Sequence, residues 1–498
     1  MAQHINTLII GAGISGIGVA VHMQKNCPQR DFMILERRHQ IGGTWSLFKY
    51  PGIRSDSDMS TFGFNFKPWR EDKILAQASE ICHYLQETID EFKLADKIHF
   101  HHSVQNANWN SAKNVWELSI ENHGNVEQWT ANFVIGCTGY YNYDQGYAPK
   151  FPNQEEFNGQ LVHPQHWPED LEIAGKKVVI VGSGATAITL VPALAKQGAI
   201  VTMLQRSPTY IAAIPSIDFA YNAMRKVLPE SVAYRLTRNR NIGMQRAIYK
   251  LSKSHPEKVK KFLLAAVRLQ LKGKVDMKHF TPDYNPWDQR LCVVPDGDLF
   301  KVLREGKAFI ETDHIEKFVE NGIQLKSGKV LEADIVVSAT GLEIQLLGGL
   351  TASVDGKPVK TQDHLLYQST MVSDVPNFAL MIGYTNASWT LKVDIVADYL
   401  CRLFNYMDKN GLVAVVPQGD ESAKSEDSLM GSNLTSGYIQ RANQIMPRQG
   451  LKAPWIGRAS YYEDRDALKN ASFKDGILKF SKGSGKTVKS VKKFKLFG

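Results

Sequence analysis

The chain reads as an α/β protein built from two dinucleotide-binding units with a helical insertion, and three observations predict it. Glycine-rich turns occur twice, as Gly11-Ala12-Gly13-Ile14-Ser15-Gly16 and as Gly182-Ser183-Gly184-Ala185-Thr186-Ala187. Each follows a run of β-branched and aliphatic residues and opens onto a helical pattern, the setting that a Rossmann-like turn needs. The residue closing the next strand differs between the units. It is Glu36, 25 residues after Gly11, in the first and Arg206, 24 residues after Gly182, in the second.

At 498 residues the chain exceeds one simple core, which sets an expectation of about two to three domains. Its 43% hydrophobic and 22% charged residues are ordinary for a soluble globular protein. The opening MAQHINTLIIG has no secretory pattern, and no apolar run reaches about 18 residues, so a cytoplasmic chain without a membrane span is expected. Five scattered cysteines suit reduced thiols and argue against a disulfide framework, a zinc site or the redox-active pair of a flavin disulfide reductase. The net charge of +9 is uneven: residues 216–282 carry fifteen Lys/Arg against four acids, and residues 479–498 carry seven Lys and no acid. Neither stretch interleaves aromatic residues as a stacking platform, so no nucleic-acid binding is expected.

In the first unit, Thr7 to Ile10 is a strand and Gly11 begins the turn. Gly13 lets the backbone approach a pyrophosphate, and Gly16 lets helix pack on strand. Phe32 to Leu35 is the second strand, and Glu36 after it can accept hydrogen bonds from ribose hydroxyls. In the second unit Lys177 to Val181 is a strand, and Val201 to Gln205 leads to Arg206. A carboxylate repels a 2′-phosphate, whereas a guanidinium grips it with charge-assisted bonds. The first site is therefore expected to hold FAD and the second NADPH. Asp334 to Gly341 (DIVVSATG) reads as the closing strand of the second unit, and Gly383 to Trp389 leads into a helix that returns to the first.

The expected layout is residues 1–150 for the FAD unit, 151–215 with 283–345 for the NADPH unit, and 216–282 for the insertion. Residues 346–478 return to the FAD unit, and 479–498 form a basic, disordered tail. The insertion places Val259, Phe262, Leu263, Ala266 and Val267 at helical spacing. A solvated charged face is its first reading, a membrane-surface or lid role the alternative. Val488, Val491, Phe494 and Phe497 in the tail suggest a weak peripheral membrane contact.

Between the units runs FNGQLVHPQHWP, where Gly159, Pro164 and Pro168 restrict a backbone that plain physics reads as a linker. Phe157, Gly159, His163, Trp167 and Pro168 also satisfy every fixed position of F-x-G-x-x-x-H-x-x-x-W-P. Gly42 to Asp56 satisfies G-G-x-W-x-x-x-x-Y-P-G-x-x-x-D without a gap. Both signatures resemble those of Baeyer–Villiger monooxygenases. The resemblance spans nearly the whole chain up to the tail. Through GSGATA, QRSPTY, YNPWDQRL and GYTNASWTLK it is greatest to the mycobacterial subgroup that activates ethionamide.

The resemblance implies an FAD- and NADPH-dependent oxygenation of ketones to esters or lactones through a C4a-peroxyflavin, with sulfoxidation of thioethers and thioamides beside it. O2 and a small organic ketone or sulfide would be the partners. By the same resemblance Thr44, Trp45 and Leu47 would wrap the flavin, with Ser15 in its phosphate turn and Val104 at its adenine. Arg54, Ser183, Thr186, Ala187 and Ser207 would serve NADPH, Arg290 would be catalytic, and Asp56 would hold it. One departure stands out: Gln289 occupies the place where many members carry Lys, which throws 2′-phosphate recognition onto Arg206. The alternatives are an N- or S-oxidising flavin monooxygenase, which needs no Arg290, and a nucleotide-binding protein without chemistry.

Overall fold

The computed structural model describes residues 3–430 and 436–483, and its two glycine turns each follow an inner strand of a sheet, mixed in the first unit and parallel in the second. The first unit opens with β1 (Gln3–Ile10) and α1 (Ile14–Asn26), followed by β2 (Phe32–Leu35). A meander of β3 (His102–Asn110), β4 (Val115–Asn122) and β5 (Asn125–Gly136) is antiparallel throughout, and β5 then lies parallel to β1. β3 extends well beyond the predicted His102–Val104. A bulge between Val104 and Asn106 breaks the in–out alternation that sequence reading relies on.

The FNGQLVHPQHWP run is not a free linker. Its centre forms β6 (Gln160–Val162), the edge strand of the second sheet, and His163 caps the short turn Pro164–His166. Next come β7 (Lys177–Val181), α2 (Ala185–Lys196) and β8 (Ile200–Gln205). The Val-Val-Ile-Val run of β7 is buried, as a central parallel strand covered on both faces must be. β9 (Ile211–Ile214) then leads into the insertion helices α3 (Phe219–Arg225), α4 (Glu230–Ser254) and α5 (Pro256–Leu271). β10 (Cys292–Pro295) returns beside β9 in a parallel pair, so the insertion leaves and re-enters at one place. After α6 (Asp298–Arg304), β11 (Ala308–Thr312) and β12 (Ile335–Ser338) complete a parallel sheet in the order β11-β8-β7-β12-β6.

The chain then rejoins the first sheet. Thr351–Val354 pairs with β3, and Phe378–Leu380 pairs with β5. The long α7 (Trp389–Lys409) lays Val393, Val396 and Leu400 into the same core as Ile17 and Val21 of α1. It also brings together cysteines 374 residues apart, with the Cys27 thiol 3.4 Å from the Cys401 carbonyl oxygen, although all five cysteines are free. Leu478–Lys482 forms a strand against Leu412–Pro417, so residues 479–482 of the expected disordered tail are ordered: Leu478 is buried and Phe480 packs on Tyr406. Val488, Val491, Phe494 and Phe497 lie outside the described residues.

Two features of the insertion differ from a uniformly solvated helical face. In α5, Val259, Leu263 and Val267 are buried, whereas Phe262, a turn of about 100° from Leu263, is 73% exposed and Ala266 is also exposed. In α4, Arg238 is buried and clamps the first unit. Its guanidinium donates to the carbonyls of Ser60, Thr61 and Gly63 and to Asp394 of α7 at 3.0 Å. Asp394 also meets His22 at 3.1 Å and accepts the Asn65 N–H. Removing one partner of such a buried pair leaves an uncompensated charge, so Arg238→Ala is expected to cost about 3 kcal/mol. That loss would be read as a lower denaturant midpoint, with a larger fall than for Arg235→Ala on the exposed side of the same helix.

Candidate active site

Both glycine turns open onto one cleft of about 990 Å3 between the sheets. Gly11 takes φ +105°, and a Cβ there would stand 2.7 Å from the Cys137 carbonyl oxygen; Gly182 takes φ +142°, with the Ala339 carbonyl oxygen 2.3 Å away. The first glycine of each turn is thus forced by contact with the end of the neighbouring strand. Neither α1 nor α2 has a side-chain cap or an acid in its first turn, and Gly13 and Gly184 occupy the cap positions. The free N–H groups and positive helix ends fit two pyrophosphates. Open space surrounds Gly184, with no atom within 4 Å of where a Cβ would stand.

Asp56 and Arg290 meet on the cleft wall. Arg290 Nη2 is 3.2 Å from Asp56 Oδ1 and Nε is 3.1 Å from Oδ2, a two-pronged pair from residues 234 apart in sequence. The Asp56 loop is pinned by Ser55 N–H to the Ala76 carbonyl (2.8 Å) and Met59 N–H to the Ile74 carbonyl (2.8 Å). Arg290 follows Trp287, which takes φ +68°, and precedes β10. About a third of each side chain stays open to the cleft (34% and 31%). The Asp56 carboxylate pushes the guanidinium pKa still higher, so Arg290 carries its charge at every working pH. Burial pushes the neighbouring Cys292 thiol up to about 12 and holds the Tyr141 and Tyr438 phenols above their usual range, which leaves all three neutral.

Arg206 and Ser207 also line the cleft, at the C-terminal end of β8. β11 runs beside β8 so that Asp313 N–H reaches the Gln205 carbonyl (3.0 Å), and Lys326 N–H in turn reaches the His314 carbonyl (2.9 Å). Arg206, His314 and Lys326 therefore share one exposed rim. The Asp313 carboxylate there is engaged by the N–H groups of His314 (2.7 Å) and Ser327 (3.2 Å). Lys326 supplies a second cation near Arg206. Sequence reading missed it because 120 residues separate the two and no spacing rule links them.

Of the predicted site residues, Gly13, Ser15, Thr44, Trp45, Arg54, Asp56, Gly182, Ser183, Gly184, Thr186, Arg206, Ser207 and Arg290 line the cleft. Gly11, Gly16, Glu36, Leu47, Val104 and Ala187 are not among its lining residues. Glu36 is buried, with Oε2 accepting the Ala12 N–H and Oε1 the Arg38 N–H, both at 2.9 Å, so it braces the first turn. Arg54 pairs with Asp298 of α6 at 2.8 Å, tying the two units together, while burial raises the Asp298 pKa against the pull of that guanidinium. Aromatic residues close the wall between them: Tyr140 stacks on Trp389 at 5.3 Å, and the Trp389 indole donates to Ser15 Oγ at 2.7 Å. Gly383 signalled that packing in the sequence, since a Cβ there would lie 2.4 Å from the indole ring.

The five fingerprint residues lie outside the cleft lining. Phe157 packs edge-on against Phe318 at 5.7 Å, and Gly159 is required because a Cβ would meet the Asp334 carbonyl oxygen at 2.4 Å. Trp167 and Pro168 follow the turn that His163 caps, and Trp167 packs on the core of the second unit. The His163 ring presses on Gly146, where a Cβ would come within 2.0 Å of it, and so fixes the crossing segment between the units. Burial lowers the His163 pKa, so the unfolded chain binds the proton more readily. The stability that neutral His163 provides is present above about pH 6.5 and is lost as pH falls towards the lower folded value. Denaturant midpoints taken from pH 8 to pH 5 should therefore fall more steeply for the wild type than for His163→Gln.

Comparison with known proteins bears on this geometry. A family profile described as pyridine nucleotide-disulphide oxidoreductase matches residues 8–240. The "Probable FAD-binding monooxygenase AlmA" of Acinetobacter baylyi is 66% identical over 484 residues, 97% of either chain. The "FAD-containing monooxygenase EthA" of Mycobacterium tuberculosis is 46% identical over 484 residues, 97% of this chain and 99% of that one. Among solved structures, an oxidized steroid monooxygenase bound to NADP shares the fold, with a TM-score of 0.76 at 19% identity over 97% of this chain and 100% of that one. With these likenesses running the length of the chain and two uncapped glycine turns open on one cleft, the chain belongs to the family of FAD-containing monooxygenases.

Proposed function

We propose that the protein is a Baeyer–Villiger monooxygenase of the cytoplasm, using FAD and NADPH to insert one oxygen of O2 into a ketone, with sulfoxidation of thioethers and thioamides as a secondary activity. The observation that carries this reading is Arg290 held in two-pronged contact by Asp56 on the wall between the glycine turns. Bound FAD, reduced by NADPH, supplies the activation of O2 that no side chain provides. The uncapped start of α1 with Ser15, Thr44 and Trp45 would hold FAD; the start of α2 with Arg206, Ser207 and Lys326 would hold NADPH.

Attack on a carbonyl needs an oxygen nucleophile kept as an anion. A guanidinium that cannot lose its proton stabilises negative charge as it develops and passes no proton to that oxygen. Asp56 orients the fork, and the Tyr140, Tyr141, Tyr438 and Trp389 rings make a wall poor in water, which strengthens the field of Arg290. An electrophilic sulfur oxidation would gain nothing from that cation.

Product analysis of FAD-loaded protein with NADPH, O2, a linear ketone and a thioether tests the reading. Ester is the expected product, and Arg290→Ala should lower its rate by about 10^2 to 10^3 while FAD stays bound. Sulfoxide without ester would overturn the Baeyer–Villiger assignment in favour of a sulfur-oxidising enzyme. At the 2′-phosphate rim, Arg206→Ala should reduce the preference for NADPH over NADH by at least about tenfold. Lys326→Ala should give a smaller loss in the same direction, and titration with 2′,5′-ADP against 5′-AMP reads both without turnover.

A further inference from the structure

The insertion carries an apolar surface that catalysis does not use. Among the described residues fifteen large hydrophobic side chains are exposed, and nine of them (Ile217, Phe219, Val227, Leu236, Met244, Ile248, Leu251, Phe262 and Leu269) fall within residues 216–282. Isolated exposed apolar residues need no explanation, but a concentration in about an eighth of the chain does. On α5 the arrangement is ordered. Lys258, Phe262, Ala265 and Leu269 recur at helical intervals along one exposed face, with Lys261 and Arg268 beside them and Lys272 just past the C-terminal end of the helix. Phe262 is 73% exposed and Leu269 78%. None of Lys258, Lys261, Arg268 and Lys272 has an ion-pair partner among the described residues, and Glu257 in the first turn is the only acid on the helix.

The opposite face is already satisfied. Val259 and Leu263 pack with Tyr210 and against Tyr284 and Leu291, and Val267 and Leu271 enter the core of the second unit. α5 is thus apolar on both sides, and its outer side is rimmed by cations with Glu257 as the single acid among them. A second copy docked on the same face would set two unneutralised basic rims against each other. A nucleic-acid backbone would satisfy the charge and leave Phe262 and Leu269 in water. An anionic lipid surface satisfies both, because apolar side chains enter the headgroup boundary while Lys and Arg meet lipid phosphates.

We propose that the outer face of α5 docks this enzyme onto an anionic phospholipid bilayer, with Phe262 and Leu269 as the inserted residues and Lys258, Lys261, Arg268 and Lys272 as the phosphate contacts. No helix of the described chain is long and apolar enough to cross a membrane, so the contact is peripheral. The inner face of the same helix shares one apolar cluster with Leu291, the residue after Arg290, so the docked helix backs onto the segment that carries Arg290.

Co-sedimentation of the full-length, FAD-loaded protein with phosphatidylcholine vesicles, with and without phosphatidylglycerol, tests this. Binding is expected only with phosphatidylglycerol, and it should weaken as salt is raised. The double variant Phe262→Gln/Leu269→Gln and the triple variant Lys258→Gln/Lys261→Gln/Arg268→Gln should each bind at least about tenfold more weakly. Both should retain wild-type flavin absorbance and NADPH oxidation in solution, which separates lost docking from lost folding. Vesicle binding by the double variant equal to wild type would overturn the proposal by moving the contact elsewhere, for instance to the lysine-rich C-terminal run. Failure of the wild type to bind phosphatidylglycerol vesicles would also overturn it, as would wild-type self-association that the double variant abolishes.

Discussion

A carboxylate from a loop of one unit and a guanidinium from a loop of the other meet on the cleft wall, and that contact ties the site to the fold. Asp56 belongs to the first unit and Arg290 to the second, so the pair exists only when the two sheets hold one relation to each other. Arg54 and Asp298 repeat the device a short way along the same loop. A single pair open to solvent contributes little, but pairs enclosed at a junction resist separation because each parted charge would lose its partner. Arg238 extends the stitching to the insertion by filling the carbonyls of residues 60–63, directly after the Asp56 loop.

The two nucleotide turns reach the same geometry by the same steric means. In each, the glycine that begins the turn faces a carbonyl at the end of the neighbouring strand, Cys137 in one and Ala339 in the other. In each, the next glycine leaves the helix start without a cap and so available to an anion. The units diverge only beyond this frame, at the ribose end. There Glu36 turns inward to brace backbone N–H groups, and Arg206 turns outward to a basic rim.

Local rules served the sequence reading wherever one short stretch decides the structure. β2 falls at its predicted residues, and both glycine turns stand between strand and helix as expected. Features that depend on contact between distant segments were not visible in this way. Lys326 comes to the rim that Arg206 lines only through the pairing of β11 with β8, and Trp389 reaches Ser15 only because α7 starts where α1 starts. The Asp56–Arg290 contact was expected from family likeness, since no rule of spacing joins residues 234 apart. The bulge after Val104 and the outward Phe262 mark the limit of periodicity itself: one extra residue or about 100° of helix is enough to reverse a side chain.

The order of strands in the first sheet bears on how the protein is made. Its early strands end at Gly136, yet Phe378–Leu380 and the covering helix α7 follow the whole second unit. The second sheet, by contrast, draws all its strands from one continuous stretch, Gln160 to Ser338. During synthesis at roughly 5–20 residues per second, the apolar side of α1 waits tens of seconds for α7 to leave the ribosome. The half of the molecule translated second is therefore the first able to close its core, and the nascent N-terminal half is the part that would depend on a chaperone in the interval.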